Sequence, residues 1–146
     1  MKKFCLNCSQ CLNSLAWLPL LLFRLMLALG FFSAGVLKFS QYESVVKWFI
    51  SAGIPLPHLA VLVAGSAEII GAILLFLGLF TRLITLPLLF LLAVAIFTFH
   101  WKFGFHAGDN GFEVPLYYAL MLFCLLIMGP GKISVDGWIK ERFLRE

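Results

Sequence analysis

Charge is what this sequence has least of. Seven acidic and eleven basic residues in a chain of 146 bring the charged share to 12%. A soluble domain of this length needs more polar side chains than that to cover its surface. Hydrophobic residues reach 62%, so lipid must cover part of the apolar surface. Cysteine is scarce as well. Cys5, Cys8 and Cys11 sit in a short N-terminal stretch and Cys124 in an apolar one, which is not a secreted disulfide framework. Missing too are a nucleophile–base–orienter set, a phosphate-binding glycine loop and a dinucleotide fingerprint. Hydrolase and nucleotide-enzyme readings are poor for that reason. No basic run is interleaved with aromatics, so the net charge of +4 fits loops facing anionic lipid and not nucleic acid. The chain shows no strong internal repeat, low-complexity tract or linker to a second domain.

What is present is four apolar segments near the length that a hydrocarbon core requires: residues 15–37, 58–80, 83–100 and 114–128, the last at the short end. With backbone groups satisfied internally, helices are the reasonable spanning form. The reading is all-α: an integral membrane four-helix bundle of residues 15–130, flanked by tails 1–14 and 131–146. The start resembles a signal peptide in having two lysines before an apolar run. Polar residues separate the two, however, Arg24 interrupts the run, and no clear small-x-small site follows, so a retained anchor is expected. Lys2, Lys3, Arg82, Lys132, Lys140, Arg142 and Arg145 fall on one side of the spans. Lys38, Lys47 and Lys102 fall on the other, which puts both termini in the cytoplasm.

The outer loops are not featureless. Ser40-Gln41-Tyr42-Glu43 reads as a capping box, predicting a short interfacial helix over 41–52 that Gly53 stops. Asp109-Asn110-Gly111 is a turn signal, and the C-terminal tail predicts a second short helix on the cytoplasmic side.

Three groups of residues are candidates for chemistry. The first lies in the spans. Residues 58–82 carry small side chains on one helical stripe (Ala60, Ala64, Ala67, Gly71, Gly78) and one carboxylate, Glu68. Such a stripe lets helix backbones approach closely, and an intramembrane carboxylate needs a partner. Arg24 lies roughly 14 Å and Glu68 roughly 18 Å from the cytoplasmic end, so an Arg24–Glu68 pair between adjacent helices is expected. It either holds the bundle together or lines a site for a quinone, a proton or a small polar substrate. The second group is the outer rim: Lys38, Glu43, His100, His106, Asp109 and Glu113, where two imidazoles with nearby carboxylates can bind a divalent metal. The spacing is not specific, and interfacial histidines are the plainer reading. The third is the tail triplet Cys5, Cys8 and Cys11, thiols with affinity for a soft metal such as Cu(I) or Zn(II), though incomplete as a zinc site. Incidental thiols in a terminal tail are the alternative.

Taken in order, RLMLALGFFSAGVLKF, GIPLP, AEIIGAILLFLGLFTRL, AVAIFTFHW, GFEVPLYYALMLF and GPGKISVD resemble the DoxX family over about residues 20–137. The resemblance implies a four-helix protein of the bacterial inner (plasma) membrane, with polar residues at Arg24, Lys38, Glu68, Arg82, His100, Glu113 and Asp136. Functions in that family differ. The resemblance implies a membrane subunit of a redox or sulfur/thiol-handling, quinone-linked complex with a redox partner subunit. The alternatives it leaves are a non-enzymatic carrier or copper-related metal-handling protein, and a structural bundle. The cysteine tail is not part of the shared pattern.

Overall fold

Apolar side chains that must face lipid and a backbone that must bond to itself leave a chain like this one option, and all its regular structure among the described residues is helical. The computed structural model describes residues 15–143. Among these described residues, six α-helices follow in order: α1 (Trp17–Ser40), α2 (Tyr42–Ser51), α3 (Pro57–Leu77), α4 (Thr81–Thr98), α5 (Glu113–Met128) and α6 (Val135–Phe143). Two 3-10 turns, His100–Phe103 and Ala107–Asp109, lie between α4 and α5. Helices α1, α3 and α4 are long and apolar enough to cross a membrane, and α5, with 16 residues, is a shorter apolar helix.

The bundle is inside-out in the way that lipid demands. Leu29, Phe90 and Phe97 point outward, while Arg24, Glu68, Thr81 and Thr85 are buried. Leu27, Phe31, Leu75, Leu88, Leu122 and Leu125, drawn from α1, α3, α4 and α5, make the core. Helix α1 packs chiefly on α3, and α4 on α5. The α1–α3 contact is close because small residues face each other across it. A Cβ added at Gly35 would lie 3.0 Å from the Gly65 carbonyl oxygen and 2.6 Å from Ile69, so only glycine fits there. Gly65 stands beside the small-residue stripe expected from the sequence, and a Cβ added to it would meet Phe39 and Lys38 of α1.

The short helix α2 exists, but the capping box does not. Helix α1 runs on through Ser40, whose hydroxyl donates back to the Leu37 carbonyl (3.2 Å), and Gln41 occupies the N-cap of α2 without a side-chain bond. A serine inside a helix has its own preceding turn as the nearest acceptor, and that local bond wins here. Val45, Val46 and Phe49 of α2 pack on Val61 of α3 and close one end of the α1–α3 pair. Three residues join α3 to α4, with Gly78 (φ 68°) and Phe80 (φ 48°) left-handed.

Candidate functional site

The two ionisable residues expected to pair inside the membrane have different partners. Arg24, only 1% exposed, is held entirely by main-chain carbonyls. Its Nε donates to Leu75 O (2.8 Å), Nη2 to Phe76 O (2.8 Å), and Nη1 to Pro130 O (3.0 Å) and Ile133 O (2.6 Å). The first two acceptors lie in the last turn of α3, where carbonyls run short of helical partners (Leu75 O accepts only a long bond from the Gly78 amide) and the helix dipole favours a cation. The other two lie in the chain between α5 and α6. One guanidinium therefore ends α3 and ties the C-terminal segment to it. Gly78 is required twice over: its φ is left-handed, and a Cβ there would sit 2.5 Å from Arg24 Cζ.

Asp136 completes this end. Its Oδ1 accepts from the Phe80 amide (2.9 Å) and Oδ2 from the Thr81 amide (3.0 Å), while its own amide donates to Gly78 O (3.0 Å). It acts as an N-cap for α4 supplied from a distant helix, with charge complementary to the positive helix end. Arg82 Nη2 donates to Ile127 O (3.0 Å) at the end of α5. Sequence reasoning did not find these roles, because any helix end offers carbonyls and none of them has a side-chain signature.

Glu68 instead meets Lys38. The Lys38 Nζ lies 2.8 Å from both Oε1 and Oε2, and the side chains are 16% and 10% exposed. The expected Arg24–Glu68 pair is thereby corrected: Arg24 is held by four carbonyls near the opposite end, and Lys38 reaches inward from the end of α1. Counting residues along the chain places Lys38 at the rim, yet a four-carbon stem carries its ammonium well away from its own Cα. The close α1–α3 approach at Gly35 and Gly65 makes the pairing possible, because Glu68 stands one turn from Gly65 on α3 and Lys38 one turn from Gly35 on α1. Two of the three ammonium hydrogens face the carboxylate, and among the described residues nothing accepts the third.

The remaining rim residues are spread over separate local contacts. His100 Nδ1 lies 2.7 Å from the Asn110 carbonyl oxygen, holding the turn at Asp109-Asn110-Gly111. Glu113 accepts from the Ala107 amide (3.0 Å) and from the Tyr117 hydroxyl (3.0 Å), while His106 accepts backbone bonds through its carbonyl. Glu43 lies in the first turn of α2 and Asp109 ends the second 3-10 turn. Among the described residues no three of His, Cys, Asp and Glu come together as a metal site. Cys5, Cys8 and Cys11 lie outside the described residues, and Cys124 is a free thiol on α5. A further contact went unnoticed in the sequence: the Tyr42 hydroxyl lies 3.2 Å from His58 Nδ1, joining the start of α2 to that of α3.

The model of the DoxX family matches residues 19–101, the stretch that contains Arg24, Lys38, Glu68 and His100. A Haemophilus influenzae protein is 35% identical over 130 residues, which is 84% of this chain and 83% of its own. The Inner membrane protein YphA of Escherichia coli is 35% identical over 122 residues, covering 80% and 87%. A Bacillus subtilis protein named Putative oxidoreductase CatD is 35% identical over 121 residues, covering 82% and 85%. No solved structure matches the chain.

Proposed function

The chain belongs to the DoxX family and is a bacterial inner-membrane protein, and from that footing we propose that it is the membrane subunit of a redox complex, binding a quinone head group at the Lys38–Glu68 pair. The observation that carries this reading is the pair itself. It is an ion pair held by side chains alone, partly open, between two spanning helices, with one ammonium hydrogen left over. A quinone carbonyl is an acceptor of suitable size and polarity for that hydrogen, and its ring is apolar enough to reach the site through lipid. The carboxylate can take up a proton beside the same carbonyl. Electrons would come from a partner subunit, which the bundle would anchor. The name of the Bacillus relative, which shares about a third of its residues, supports an oxidoreductase setting. Arg24 has no part in this site: its guanidinium makes four bonds to main-chain carbonyls near the other end of the bundle.

The orientation we adopt places both termini in the cytoplasm, supported by the excess of basic residues at that end. Lys38 then enters from the outer side. The test is native purification in mild detergent with assay of co-purifying quinone and of quinone-dependent activity. Glu68→Gln is expected to abolish both while the protein remains folded in the membrane. Unchanged quinone content and activity in that variant would overturn the reading and leave a structural bundle.

A further inference from the structure

The end of the bundle where α5 ends and α6 lies holds a concavity of about 710 Å³. Three segments far apart in the chain meet there. Arg82 comes from the first turn of α4, Lys132 from the link after α5 and Lys140 from α6. The same hollow is lined by Phe80, Leu83 and Met128, each at least 60% exposed. Those three mark the ends of the apolar segments, so the hollow straddles the level where hydrocarbon gives way to head groups. Two acids also line it. Asp136 has both oxygens committed to the Phe80 and Thr81 amides, so the positive end of α4 offsets its charge. Glu141, on α6, is engaged in an interaction of its own.

From this arrangement we infer that the hollow is a binding site for an anionic phospholipid, its phosphate among Arg82, Lys132 and Lys140 and its acyl chains lying along Phe80, Leu83 and Met128. A free phosphate shares the charge of such a ligand but has no use for the apolar lip, and a zwitterionic lipid shares the chains but adds a cation. A scattered positive-inside bias does not require the cations to share one concavity beside exposed apolar side chains. This site is separate from Lys38–Glu68, at the other end of α1, and does not depend on the function proposed for it.

The test is thermal unfolding of the full-length protein in dodecyl maltoside with added phosphatidylglycerol, phosphatidylcholine or inorganic phosphate. Phosphatidylglycerol is expected to raise the midpoint by about 3 °C or more, and the other two by little. The K132Q/K140Q variant, which leaves the Arg82–Ile127 bond in place, is expected to lose most of that rise. K47Q/K102Q, with the same charge removed from the opposite end, is expected to keep it. An equal rise with phosphatidylcholine, an equal rise with phosphate alone, or a full rise in K132Q/K140Q would each overturn the inference. If K132Q/K140Q does not fold, Lys140→Gln alone, on the exposed face of α6, is expected to reduce the rise, and an unchanged rise would have the same force.

Discussion

Arg24 and Glu68 are both ionisable, both buried and both inside the bundle, yet the protein satisfies them in opposite ways. Arg24 is met by four main-chain carbonyls from α3 and the α5–α6 link, groups that cannot rotate away. Glu68 is met by one flexible side chain that can swing aside. Carbonyl ligation fixes the fold at one end. A side-chain pair leaves a dipolar spot that a ligand can share, at modest cost, near the other. An intramembrane charge is a functional suspect by default, and under the function proposed above the type of partner separates the structural case from the chemical one.

The sharpest way to break this contrast is at Arg24. Arg24→Met strands the Phe76, Pro130 and Ile133 carbonyls and leaves Leu75 O with only its bond from the Gly78 amide, and the expected loss is about 3–5 kcal/mol, read from denaturant unfolding in detergent. Arg24→Lys should recover little of it, because a point charge with three donors cannot reproduce the planar fork. Full stability in either variant would remove Arg24 from its structural role. Next in size is Glu68→Gln, which leaves the Lys38 charge uncompensated and is expected to cost about 2–3 kcal/mol, the pair being slightly open to its surroundings. Adding Lys38→Met should restore most of that loss, since neutralising both partners removes the uncompensated charge. No second-site neutralisation is expected to rescue Arg24→Met, because its unmet partners are backbone groups.

Much of the fold was legible in the sequence, and most of the partnerships were not. Hydropathy marked the apolar helices because lipid imposes a length and a composition on them. Asp109-Asn110-Gly111 marked a turn, and Asn110 is indeed left-handed, at φ 64°. Depth along two helices suggested Arg24 for Glu68, but depth takes no account of rotation about the helix axis or of the carbonyls that compete for a guanidinium. Lys38 was placed at the rim by its Cα, when its ammonium lies a side chain's length away. Asp136 caps α4 across 55 and 56 residues of sequence, and no local pattern encodes a contact of that range.

Smaller effects sharpen the same contrast. Gly35→Ala pushes against the Gly65 carbonyl and Ile69, and is expected to cost about 1–3 kcal/mol and to weaken the Lys38–Glu68 bond by parting α1 from α3. A double-mutant cycle between Gly35→Ala and Glu68→Gln checks this, and strict additivity would deny the coupling. Asp136→Ala removes the borrowed cap of α4 and is expected to cost about 1 kcal/mol, with quinone content unchanged because the lesion is at the structural end.

The separation of the two ends is tested most directly by quinone content per folded molecule in K38M/E68Q, purified natively beside the unaltered protein. The double variant has no stranded charge, so its folded yield should stay close to that of the unaltered protein while its quinone falls to background. Quinone retained at the original level in folded K38M/E68Q would contradict the assignment of the Lys38–Glu68 pair as the functional site.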